Sequence, residues 1–176
     1  AILVDMPDGE APDTPAWKER REMAASWFEL LAPRAAELDL EEIKLLCYRN
    51  PRANNADLPA TGVFHGGGPL PADADGLTGD SVPLDRVFET FQILMAPTQF
   101  SATAPLKMAA RQFGFRAATM PGFSRAMIPA LRIDYGVVGE RVAKFKQMLD
   151  QATRCDIEFD AAGAAHELVL DLRHRS

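Results

Sequence analysis

Two short segments carry the residue types that acyl transfer needs. His65-Gly66-Gly67-Gly68 offers clustered backbone amides for an oxyanion, and Gly122-Phe123-Ser124-Arg125-Ala126 sets a serine behind an apolar strand. Asp156 or Asp171, with His166 or His174, follow as acid and base for such a serine. The pattern is incomplete. Its last glycine is replaced by Ala126, Pro121 stands where the strand must run into the turn, and the acid and base candidates crowd onto a terminal hairpin. Ser124 is therefore read as a helix cap and His65 as a loop residue, and no catalytic residue is assigned in this chain.

Thr98-Gln99-Phe100-Ser101-Ala102-Thr103 has hydroxyls and free amides ahead of a helix, the chemistry of an anion-holding loop. It lacks the glycine that lets a backbone approach a phosphate closely, so helix capping by Thr103 or Ser101 is the better reading. Metal ligation needs convergent side chains. Glu41 and Glu42 are adjacent and diverge, Asp5, Asp8 and Asp13 fall in one loop region without the glycine spacing of a calcium loop, and His166 and His174 are eight residues apart, on an expected strand and at its frayed end. No metal-binding residue is assigned. Met95, Met108, Met120, Met127 and Met148 read as core filling.

The elements that position these groups alternate. Ile2 to Met6 reads as a buried strand, and Thr14-Pro15 starts an amphipathic helix running from Trp17 to Leu31. Ile43 to Tyr48 is a second strand. Residues 49–83, rich in Gly and Pro, read as one long surface loop with a short element near Ala53 to Ala60. Leu84 to Thr90 is a short helix and Gln92 to Ala96 a strand. A helix follows to Phe113, with Gly114 as its stop, and then a strand from Phe115 to Met120. Helices around Ser124 to Leu131 and from Tyr135 lead to strands Arg154 to Phe159 and Glu167 to Leu172 about a tight turn. Strand, loop, helix and strand in this order build a parallel sheet, whose ligands sit beyond the strands' carboxyl ends.

Of the 176 residues, 47% are hydrophobic and 25% charged, enough for one sizeable core. A net charge of −6 with scattered basic residues argues against a nucleic-acid partner. No stretch of about 18 apolar residues offers a membrane span. Cys47 and Cys155 lie far apart in apolar runs and read as buried, reduced thiols, which fits a cytoplasmic protein. Both chain ends read as cut from something longer.

Pro97-Thr98, Ser101, Gly114, Arg116, Met120-Pro121-Gly122 and Asp134-Tyr135, followed by the Cys155-Asp156-Ile157-Glu158-Phe159 strand, occur in an order that resembles a known pattern. The segment from about residue 84 to 172 resembles the N-terminal domain of the aminopeptidase T family of metallopeptidases, whose superfamily includes the 2,5-dihydroxypyridine dioxygenases. Two departures stand out. The family's His-Thr pair is Ala102-Thr103 here, and the family's metal ligands belong to a C-terminal domain that this chain does not include.

The fold expected is α/β: a largely parallel sheet with helices on both faces, and a C-terminal β-hairpin beginning a missing second domain. Residues 1–152 form the α/β domain and 153–176 the hairpin. The function implied by the resemblance is that of the N-terminal domain of a metal-dependent aminopeptidase-like hydrolase, with a non-catalytic binding module or a ring-cleaving dioxygenase parent as alternatives. Thr98, Ser101, Thr103 and Met120 are the candidates for lining a substrate cleft. No cofactor is expected in this chain; a divalent zinc, cobalt or iron ion belongs to the missing domain. The partner expected is the chain's own C-terminal domain, a homodimer is compatible, and neither nucleic acid nor membrane is expected.

Overall fold

The computed structural model describes residues 1–173; His174, one of the sequence's base candidates, lies outside the described residues. The strand Ile2–Met6 (β1) is buried at all five positions, the pattern of a central parallel strand covered on both faces. Its side chains alternate between two cores. Leu3 joins Leu46, Leu84, Val87, Phe88, Leu94, Leu106 and Phe115 on one face, while Ile2, Val4 and Met6 join Ala24, Leu45 and Cys47 on the other.

Helix α1, Pro15–Leu31, begins where the sequence places it: Thr14 accepts the Trp17 amide at 3.2 Å, and Pro15 occupies the first turn. It covers the second core. Strand β2, Leu45–Arg49, pairs parallel with β1. Helix α2, Leu84–Thr90, and helix α3, Thr103–Phe113, contribute Leu84, Val87 and Leu106 to the first core.

The expected long loop is a correction. Residues 49–83 contain strands β3, Thr61–His65, and β4, Ser81–Pro83, which extend the sheet antiparallel from β2. The element anticipated near Ala53 to Ala60 is absent, and the strand starts just after it. Gly62 masks β3 in the sequence, yet the strand requires it: a Cβ there would lie 3.0 Å from the Cys47 carbonyl oxygen. His65 ends this strand and is not a free loop residue.

With β5, Ile93–Ala96, and β6, Arg116–Thr119, the six-stranded order is β4-β3-β2-β1-β5-β6, parallel from β2 through β6. The architecture is the largely parallel α/β sheet that the sequence implies. Gly114 ends α3 in the left-handed region at φ +80°. The segment read as a helix around Ser124 is a 3-10 run, Arg125–Leu131, which contains Pro129.

The chain divides into two compact units, Ala1–Ile128 and Pro129–Ser176. The second takes in α4, Tyr135–Gln151, capped by Asp134, and the antiparallel hairpin of β7, Arg154–Ala161, and β8, Ala164–Asp171. Cys47 is buried but Cys155 is only half-buried, so the reading of two buried thiols holds for one. No described helix is long and apolar enough to cross a membrane.

Candidate functional site at the carboxyl ends of the strands

From β1 the chain passes through α1 to β2 on one side, whereas β5 lies on β1's other side. Their connections cover opposite faces, so β1 and β5 frame the switch point at which α/β sheets take ligands. Here that crevice is filled from within. Asp5, fully buried, accepts the Gln99 amide at 2.8 Å through Oδ1 and the Phe100 amide at 2.9 Å through Oδ2. The Trp17 indole N–H is shared between Asp5 Oδ1 at 3.2 Å and the Asp5 carbonyl oxygen at 3.0 Å. Burial pushes the Asp5 carboxyl above the usual range, and the N–H donors only partly offset this. Phe100 stands edge-on to Trp17, with ring centroids 5.6 Å apart.

Arg20 closes the other side. Its Nε donates to the Phe123 carbonyl oxygen at 2.9 Å and its Nη1 to Gln99 Oε1. In β2, Tyr48 is in register with Asp5; its hydroxyl is buried without a hydrogen-bond partner, and burial together with the Asp5 charge pushes it well up.

Around the rim, the loop after β2 reaches across to α3. Asn50 anchors it, donating from Nδ2 to the Met6 carbonyl oxygen and accepting the Arg52 amide. Arg52 and Asn55 adopt positive φ of 64° and 60°, which places two asparagines over the β5–α3 loop. Asn54 Oδ1 accepts the Ser101 amide at 2.8 Å, while Asn55 Oδ1 accepts the Ala104 amide at 3.0 Å and the Ser101 hydroxyl at 3.1 Å. The N-terminus of α3 is thus capped from a distant loop, and its N-cap residue, Ala102, contributes no side-chain bond. Of the two residues read as caps, Ser101 accepts the Thr103 amide through its hydroxyl at 3.4 Å, while Thr103 caps nothing, and both join a row of hydroxyls: Ser101 to Thr103 at 3.1 Å and Thr103 to Thr119 at 2.9 Å. An anion at this helix end would have to displace Asn55.

Of the four cleft candidates, Thr103 is exposed and Ser101 and Met120 are half-buried on this rim. Thr98 is buried and donates to the Phe100 carbonyl oxygen at 2.7 Å, so its hydroxyl holds the loop's shape. The sequence reading does not single out Asp5 as a site residue, because it groups Asp5 with Asp8 and Asp13. The one acid inside the run Ile-Leu-Val-Asp-Met was the available signal. Asp8 and Asp13 are also spoken for: Asp8 by the Glu10 and Ala11 amides and by Arg49, Asp13 by both terminal nitrogens of Arg21.

The serine turn of the acyl-transfer pattern does not take its expected form. Ser124 lacks the positive φ that strains a nucleophile turn, and its carbonyl merely accepts from the Met127 amide. The His65 ring is engaged with the Gly68 carbonyl oxygen at 3.0 Å, and His166 stacks on Phe159 in the second unit. Among the described residues no three His, Cys, Asp or Glu side chains are grouped to hold a metal ion.

Fold and site together define an α/β domain whose switch crevice is occupied by its own side chains beneath a rim of neutral hydroxyls and amides. No family model matches the chain, and no curated protein or solved structure is detectably similar to it.

Proposed function

We propose that this chain is the α/β N-terminal part of a metal-dependent aminopeptidase-like hydrolase, where it shapes the substrate cleft while the metal is held elsewhere in the protein. The observation that carries this reading is where the motif residues stand in the fold. Pro97-Thr98 ends β5 and opens the rim loop, Gly114 supplies the left-handed stop of α3, Gly122 turns at φ +69° behind β6, and Asp134 caps α4 through the Gly136 and Val137 amides. Residues with such backbone duties recur in a family because the fold requires them, which links the motif order to this architecture.

On this reading Ser101, Thr103 and Met120 face the substrate side. Hydroxyls and amides without charge suit the main chain of a peptide, to which they can both donate and accept. When bound in the parent enzyme, a divalent ion would supply a Lewis acid and an activated water. This chain's residues would orient the substrate.

The test is to express the complete reading frame that encodes this chain and assay aminoacyl-nitroanilides with and without added zinc or cobalt. Metal-dependent release of N-terminal residues is the expected result. Oxygen uptake with dihydroxypyridines would move the parent to the dioxygenase branch. No turnover of either substrate class by metal-loaded protein favours the second reading, a non-catalytic binding module. That reading draws on the apolar side chains exposed in the second unit, including Val142, Phe145, Ile157, Phe159 and Leu168.

A further inference from the structure

The backbone amides of Gln99 and Phe100 point side by side at a carboxylate, and the Trp17 indole N–H points at the same group. Three convergent N–H donors around a buried group form an anion site, of the kind that loops at switch points present to ligands. The anion in this site is attached to β1. Asp5 is separated from its two amide partners by more than half the chain, and among the described residues it is the acceptor that both amides bond. An acid in the middle of a buried strand is costly unless paired, and this one accepts three N–H hydrogen bonds.

We propose that Asp5 is a built-in ligand: its carboxylate occupies an anion site formed by the Gln99 and Phe100 amides and the Trp17 indole, closing the switch crevice to free anions and latching the Pro97–Ala102 loop. The site accepts one planar carboxylate. Once the tethered one is removed, the smallest free carboxylate, formate, fits the same donors. The buried Arg20 guanidinium lies close enough for its positive charge to interact with Asp5, which partly offsets the cost of burying the carboxylate. This inference is independent of the parent's chemistry, because it concerns only how the loop is held.

Asp5→Ala leaves the three donors and a carboxyl-sized space. In this variant, formate should raise the thermal midpoint saturably relative to sodium chloride at equal ionic strength. At a formate concentration ten times its Kd, the folding equilibrium constant should rise by a factor of about ten. The wild-type chain should show the same midpoint in both salts, and benzoate, too large for the space, should act like chloride. Equal midpoints for Asp5→Ala in formate and chloride overturn the proposal, as does a formate-specific rise in the wild type.

Should Asp5→Ala fail to fold in either salt, Asp5→Asn takes its place, read by amide hydrogen exchange. An amide side chain keeps one acceptor oxygen and loses the other, so exchange at Gln99 or Phe100 should quicken by at least tenfold while the β1 and β2 amides stay protected. Wild-type protection at both positions would show that the carboxylate is not the latch.

Discussion

Asp8 shows how a single side chain organises the loops at the strand ends. It is nearly buried, accepts the Glu10 and Ala11 amides at 3.0 and 2.9 Å, and pairs with Arg49 and Arg52. These donors hold its carboxyl down at about 2, against an ordinary value of 3.8. A carboxyl lowered on folding stabilises the fold fully above its unfolded value and loses that contribution as pH falls toward the folded one. Asp8→Asn should therefore cost about 1.5–3 kcal/mol at neutral pH, the range for hydrogen bonds to a charged group. The gap to wild type should close between about pH 4 and pH 2 in urea titrations. A gap that stays constant through that window would falsify the assignment. Asp5 has the opposite sign. Its raised carboxyl favours the acid form in the fold, so its ionisation weakens stability as pH rises through the folded value. The two aspartates, three residues apart, differ because Asp5 lies inside a buried strand, where desolvation outweighs its N–H donors, whereas Asp8 lies beyond the strand, where the Ala11 and Glu10 amides and Arg49 outweigh its burial.

At the scale of elements, legibility followed how locally each element is determined. The run Ile-Leu-Val-Asp-Met and the Thr14-Pro15 start could be read because their causes lie within a few residues. Strands β3 and β4 could not. One is interrupted by a glycine, the other is three residues long, and both are held by pairing to a neighbour. Gly62→Val should thus cost about 1–3 kcal/mol by overpacking against the Cys47 carbonyl and Leu46. Gly66→Val, with nothing within 4 Å of its Cβ position, should stay within about 0.5 kcal/mol of wild type. Urea midpoints of the two variants decide this, and equal shifts would remove β3 from the sheet. The cap of α3 is equally remote from its helix in sequence. Asn55→Ala should destabilise by about 1 kcal/mol, the usual loss for a cap, whereas Thr103→Ala should change little because its hydroxyl caps nothing. Amide exchange at Ala104 is the direct readout.

For the whole molecule, the notable feature is how much apolar surface the second unit leaves open. Phe145 is 66% exposed and Val142 58%, on a helix with Val138 and Leu149 along the same stripe. Across the hairpin, Ile157 pairs with Leu168 and Cys155 with Leu170, which sets these apolar side chains on one face. A two-stranded hairpin is marginal without something against that face. Phe145→Lys with Leu149→Lys should therefore lower the binding of a hydrophobic dye several-fold while leaving the unfolding midpoint of the sheet unit within about 0.5 kcal/mol. Unchanged dye fluorescence would place the sticky surface elsewhere. The helical stripe itself was plain in the sequence, but its exposure was not, because periodicity identifies an apolar face without identifying what covers it.

The central position of β1 also has a consequence in time. Ile2 pairs with Leu45 on one side and with Met95 on the other, and Asp5 waits for the amides of Gln99 and Phe100. At ribosomal speeds of about 5–20 residues per second, the middle strand of the sheet emerges on the order of five to twenty seconds before its second neighbour exists. Until then the most apolar run of the domain has one open edge and an unpaired carboxylate. That carboxylate, costly inside the finished fold, stays hydrated on the nascent strand until the loop whose N–H groups hydrogen-bond it arrives.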